Sequence, residues 1–221
     1  AMLELGNLYL DGGASLPKDG REALKWYGKA ADLGAVDAMW TVGMMHISGN
    51  GVAKDPAKGT AWLVKAAESG GGDGARYAYL LALEYYHGGD LPQNHDEALK
   101  WYRRAADSGD ADAQSQLGWM YYAGEGARTD YREAARWWRQ AADQGHPWAQ
   151  HSLGLLYLNG EGVGQEFVSA HLWLNLAASR YDPGEQRDEA ARLRDEVAGK
   201  MTPAQLAEAQ RLAREWQEKH G

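Results

Sequence analysis

Three groups of residues in this sequence have types and spacings that could do chemistry. Ser15-Leu16-Pro17-Lys18 carries the serine-x-x-lysine spacing with which some envelope hydrolases activate a serine nucleophile. Pro17, however, interrupts the helical spacing that would aim Lys18 at Ser15, and neither Ser-Asp-Asn nor Lys-Thr-Gly follows. Lys58-Gly59-Thr60 is not that third motif. Glycine-rich stretches such as Gly49-Asn50-Gly51 and Gly124-Glu125-Gly126 could cradle phosphate, but the Lys-Ser/Thr of a phosphate-binding loop is missing. The seven histidines show no metal-ligand spacing: there is no His-Glu-x-x-His, and His146 and His151 stand five apart, off one helical face. His46 is expected to be a packing residue, and the scattered Asp and Glu to be helix caps or solvated surface. The sequence therefore predicts no catalytic residue, no metal ligand and no cofactor.

Charge and composition narrow the partners. The net charge is −8 over 221 residues, with 44% hydrophobic residues, which suits a packed interior and opposes binding to nucleic acid or anionic lipid. Cysteine is absent, so disulfides and thiol chemistry are excluded while the redox compartment stays open. No apolar run approaches the roughly 18 residues of a membrane span. Ten Trp and twelve Tyr stand against one Phe, a bias towards amphipathic rings that suggests recurring motif positions or surface recognition.

Those rings recur. Trp26, Trp62, Trp101, Trp137 and Trp173 are spaced by 36, 39, 36 and 36 residues, and an alanine pair follows each by four (Ala30-Ala31 to Ala177-Ala178). Nineteen residues before each Trp, twenty in the first copy, stands a small residue: Gly6, Gly43, Ala82, Gly118, Gly154. Three further on comes Tyr9, His46, Tyr85, Tyr121 or Tyr157. Each copy predicts a helix, a glycine-containing turn and a second helix. Asp19, Asp55, Asn94 and Asp130 would be N-caps, and Glu22, Glu97 and Glu133 would complete capping boxes. Gly34, Gly70, Gly109 and Gly145 would end the second helices, and the small residues would let helix backbones approach. One helix pair cannot bury both flanks, so pairs should stack.

The stretches Ala149 to Val163 (AQHSLGLLYLNGEGV) and Glu97 to Gly109 (EALKWYRRAADSG) resemble the Sel-one-like repeat, a relative of the tetratricopeptide repeat. The resemblance covers about residues 1–180. It implies an all-α fold, a right-handed α/α solenoid of about five helix-turn-helix repeats near 1–36, 37–72, 73–110, 111–146 and 147–180. Residues 181–221 are expected to form C-terminal capping helices, with Ala190, Leu193 and Val197 on one stripe and Thr202-Pro203 opening the last helix. The third copy departs through Tyr77, Ala82 and an extension, SGGGDG at 69–74, expected to bulge as a loop. The fifth departs through Glu166 at the cap position and Leu174 in place of Tyr.

In tetratricopeptide-like solenoids, fixed positions of the first helix line an inner groove. By register these are Leu3, Asn7, Leu10, Trp40, Met44, Ile47, Tyr79, Leu83, Tyr86, Ser115, Trp119, Tyr122, His151, Leu155 and Leu158, with Trp148 joining them. The resemblance thus implies a ligand-binding set of Trp40, Met44, Tyr79, Tyr86, Trp119, Tyr122, Trp148 and His151, with successive rings about 10 Å apart. The expected function is a non-catalytic bacterial scaffold or adaptor that binds a protein or peptide segment. A cell-envelope glycan-binding (peptidoglycan) module is the alternative, and an envelope hydrolase the weakest. Periplasm, envelope and cytoplasm all remain open. Since Ala1 falls inside a repeat helix, the array is expected to begin upstream, with weak self-association through that uncapped end.

Overall fold

The computed structural model describes residues 1–12 and 16–220. Among them are twelve helices: α1 (Met2–Asp11), α2 (Gly20–Asp32), α3 (Val36–Ser48), α4 (Pro56–Glu68), α5 (Gly71–His87), α6 (His95–Asp107), α7 (Ala111–Ala123), α8 (Tyr131–Asp143), α9 (Pro147–Asn159), α10 (Phe167–Arg180), α11 (Glu185–Ala198) and α12 (Pro203–His220). They form two compact units, Ala1–Ser108 and Gly109–Gly221. Ser15 lies outside the described residues.

In the first unit, α1 packs on α2, α3 on α4 and α5 on α6. In the second, α7 packs on α8 and α9 on α10, while α11 and α12 both pack on α10. The small residue of each copy sits where the two helices of a pair touch. A Cβ added at Gly43 would stand 2.5 Å from Leu63 Cδ2, at Gly118 2.5 Å from Trp138 Cδ1, and at Gly154 2.8 Å from Leu174 Cγ. The residue that plugs each contact is therefore the one after the repeat Trp, namely Tyr27, Leu63, Trp138 and Leu174, all buried. The repeat Trp instead varies in depth: Trp101, Trp137 and Trp173 are buried, whereas Trp26 and Trp62 are half-buried. Burying a large apolar side chain is worth about 1.5–3 kcal/mol, so the buried plugs contribute in full and the repeat Trp less where it is half-buried.

The turns are closed by backbone. Gly49, Gly124 and Gly160 end their helices in the left-handed conformation (φ 79°, 77° and 75°) that only glycine adopts without cost. Gly51 and Gly162 have a second reason to be glycine. A Cβ would come within 2.1 Å of the Gly20 carbonyl group and 2.3 Å of that of Tyr131, the opening residue of the preceding pair's second helix.

The N-caps form as predicted: Asp19, Asp55, Asn94 and Asp130 accept from backbone N–H groups two or three residues on, and Glu166 does the same for α10. The reciprocal half of the capping box does not form. Glu22, Glu97 and Glu133 turn outward to Lys25, Lys100 and Arg136 at 2.7, 3.2 and 2.8 Å. The reason is that the cap's own N–H is already taken. It donates to the carbonyl of the repeat aromatic position in the last turn of the first helix: Asp19 to Tyr9, Asp55 to His46, Asn94 to Tyr85, Asp130 to Tyr121 and Glu166 to Tyr157, at 2.8–2.9 Å. Each such bond also satisfies a carbonyl that the helix end leaves orphaned.

The extension at 69–74 does not bulge. Ser69 ends α4, Gly70 is the N-cap of α5, and the extra residues lengthen that helix to 17 residues against 13 for α3 and α7. Gly74 permits this, since a Cβ there would stand 1.7 Å from the Ser69 carbonyl oxygen.

Candidate functional site

The eight predicted groove residues fall in both units, and each unit stands by itself. In the first, Trp40 lies against Tyr77 at 5.0 Å between ring centroids, and the Tyr77 hydroxyl donates to Asp37 Oδ1 at 2.6 Å. Burial, ahead of that carboxylate, pushes the Tyr77 hydroxyl up to about 12. Tyr79 and Tyr86 pack on buried Tyr102 at 5.8 and 6.2 Å, and Tyr86 also stacks on His95 at 5.2 Å. Met44 is half-buried on α3. Ile47 does not face a groove: it is 2% exposed and packs against Gly59.

The second unit brings the predicted residues together. Trp119 and Tyr122 of α7, Trp138 of α8 and Trp148 of α9 form a closed circuit of rings. Centroid separations are 6.0 Å (Trp119–Tyr122), 5.5 Å (Tyr122–Trp138), 6.0 Å (Trp138–Trp148) and 5.9 Å (Trp148–Trp119). The expected 10 Å spacing does not hold here. Trp148 lies in the first turn of α9 and leans back onto Trp119, so the two are one surface rather than two separate grips.

These rings wall a recess of about 320 Å³, completed by His151, Ser152, Leu155, Leu156 and Glu189. Trp138 is fixed as its back wall: its ring covers Gly118 and its Nε1 donates to the Ser115 carbonyl at 3.0 Å. Ser115, which register had placed in the groove, is buried beneath it. His151 meets Tyr181 edge-on at 6.2 Å. Burial lowers its pKa despite the nearby Glu189 carboxylate. The Tyr122 hydroxyl lies beside Glu161, and burial and that carboxylate raise its pKa.

Trp138 and Glu189 were missed in the sequence. Trp138 had a signal, because the residue after the repeat Trp is large and apolar in all five copies (Tyr27, Leu63, Tyr102, Trp138, Leu174). Glu189 had none: it comes from α11, which lies beyond the repeats.

Among the described residues no group of His, Cys, Asp and Glu could hold a metal ion, and no helix is long and apolar enough to cross a membrane. Two further histidines pack or cap. His46 is buried, and His146 caps α9 through Nδ1, which accepts from the Ala149 N–H at 3.2 Å.

A stack of paired helices joined by glycine turns is an all-α repeat protein of the solenoid class. The Sel1 repeat model matches residues 1–34, 36–71, 75–110, 111–146 and 149–182, and the chain belongs to the Sel1 repeat family, whose members generally act as non-catalytic scaffolds for protein interactions. The crystal structure of c5321, a protective antigen of uropathogenic Escherichia coli with an SLR fold, is similar over 99% of this chain and 45% of that one (31% identity, TM-score 0.69). A Sel1 repeat protein from Oxalobacter formigenes is similar over 89% of this chain and 85% of its own (27% identity, TM-score 0.64). Chitin synthase regulatory factor 3 of Schizosaccharomyces pombe is 45% identical over 71 residues, 32% of this chain and 8% of that protein. The chain thus spans less than half of the c5321 chain and under a tenth of the yeast factor.

Proposed function

We propose that this chain is an interaction scaffold whose second unit seats a segment of a protein partner in the aromatic recess, without catalysis. The observation that carries the reading is the closed circuit of Trp119, Tyr122, Trp138 and Trp148 against a recess of about 320 Å³. Trp119, Tyr122 and Trp148 are only half-buried, and a contiguous aromatic patch left partly open to water is the kind of surface that partners cover. His151 and Ser152 add polar groups that can orient a bound chain. Trp40, Met44, Tyr79 and Tyr86 are proposed as contacts of the first unit, where Tyr77 and Tyr102 already support three of the rings.

A displayed library of random peptides, selected on the purified 221-residue chain and counter-selected on Trp119→Ala, tests this. Enrichment of peptides that bind the parent chain and are lost on the variant is expected. Equal capture by both proteins, or no enrichment, would remove the recess as the seat.

A further inference from the structure

The face of an indole ring is electron-rich and attracts cations. Elsewhere in this chain that attraction is used internally. Lys29 Nζ lies 4.4 Å from the Trp26 ring centre and Lys65 Nζ 4.5 Å from that of Trp62. In the second unit the guanidinium of Arg139 lies 4.9 Å from Trp173, that of Arg136 4.1 Å from Trp137, and that of Arg180 4.7 Å from Trp216.

Among the described residues, the lining of the recess holds four aromatic side chains and no lysine or arginine. What it holds instead is negative. Glu189 stands at its edge, close enough to act electrostatically on both His151 and Tyr181. A second carboxylate, Glu161, lies outside that lining beside the Tyr122 hydroxyl. Glu189 reaches one cation, Arg192, at 3.9 Å on the solvent-exposed side of α11, a pairing worth little and easily exchanged. A volume of about 320 Å³ is at the small end of ligand sites and has room for a guanidinium side chain.

Resting on the reading of the recess as a seat for a protein segment, we infer that its occupant is an arginine side chain of the partner, stacked on the Trp148–Trp119 surface with its guanidinium turned to the Glu189 carboxylate. The planar guanidinium fits both halves of such a site, a ring face on one side and a carboxylate on the other, and the chain's net charge of −8 draws a basic segment towards it.

The test uses the intact chain and blocked pentapeptides, acetyl-Ala-Ala-X-Ala-Ala-amide, with X arginine, its uncharged isostere citrulline, or norleucine. Binding is read from the indole N–H resonances of Trp148 and Trp119. The arginine peptide should shift both saturably, the citrulline peptide should bind at least about fivefold more weakly, and Glu189→Gln should shrink that gap to about twofold or less. Glu189 is exposed, so its replacement leaves the fold to serve as its own control. Equal binding of the arginine and citrulline peptides, or a gap unchanged in Glu189→Gln, overturns the arginine assignment while the protein-segment reading stands. Preference for norleucine does the same and makes the recess an apolar seat. Failure of all three to perturb Trp148 overturns the assignment, and if the library selection is also empty the seat falls with it.

Discussion

Trp138 and Gly118 are a matched pair: the indole of α8 rests on the bare backbone of α7, in the space a Cβ would occupy 2.5 Å from its Cδ1. The match sets the separation of the two helices and holds the recess's back wall in place. Gly118→Ala should therefore destabilise by about 1–3 kcal/mol, the usual cost of overpacking. Gly28 lies within α2 with nothing within 4 Å of an added Cβ, so Gly28→Ala should stabilise by about 0.5–1 kcal/mol. Urea titrations that give the two substitutions the same sign would contradict this packing.

The caps make a second pair of opposites. Asp130 accepts from the N–H groups of Arg132 and Glu133 at 3.0 and 3.1 Å, so Asp130→Ala should cost about 1 kcal/mol. Glu133 spends its carboxylate on an exposed pair with Arg136, and Glu133→Ala should cost only about 0.2–0.5 kcal/mol. Equal losses would show that the glutamate closes a capping box after all.

Much of this arrangement was legible in the sequence because it repeats. Five registered copies specify helix pairs, glycine turns and N-caps through chemistry local to each copy. What the sequence hid is tertiary. The three extra residues at 69–74 read as a loop because glycines break helices, yet packing carries α5 through them. Register placed Ile47 and Ser115 in a groove, whereas their immediate neighbours, Gly59 and Trp138, bury them. Three recess rings came from register, but the fourth wall, Trp138, and the acidic rim, Glu189, depend on which helices touch.

The repeat tryptophans should differ in cost according to depth. Trp101 and Trp137 are 2% and 3% exposed, and replacing either by alanine should cost about 3–5 kcal/mol. Half-buried Trp62 should cost less. Half-buried Trp119 should fall below Trp137 in stability cost, while Trp119→Ala weakens partner binding by at least about 2 kcal/mol. Calorimetry on the selected peptides, alongside urea titration, separates the two effects. A Trp119→Ala chain that binds fully, or unfolds as readily as Trp137→Ala, would return that ring to the core.

Acid should loosen the fold before the carboxylates titrate. His46, His146, His151 and His171 are each held below 6.5, mainly by burial. A histidine whose folded pKa is lowered binds its proton more weakly folded than unfolded. Its stabilising contribution is complete above about 6.5 and is withdrawn as pH falls towards the folded value. The urea midpoint should therefore drop steadily from pH 7 to pH 5, with a shallower slope in His171→Gln. A midpoint that is flat or rising over that window would contradict the burial of these rings.

The backbone bond from each N-cap to the aromatic carbonyl of the helix before it has an evolutionary corollary. In the second to fifth copies it spans nine residues each time, His46 to Asp55, Tyr85 to Asn94, Tyr121 to Asp130 and Tyr157 to Glu166. The first copy closes the same bond over ten residues, Tyr9 to Asp19, and still caps its second helix, so what the hairpin holds constant is the bond itself. At the junction between hairpins, at 69–74, three extra residues are accommodated as helix. Length changes within a hairpin should accordingly be accepted only where this bond can still close, and additions between hairpins where they can join the following helix.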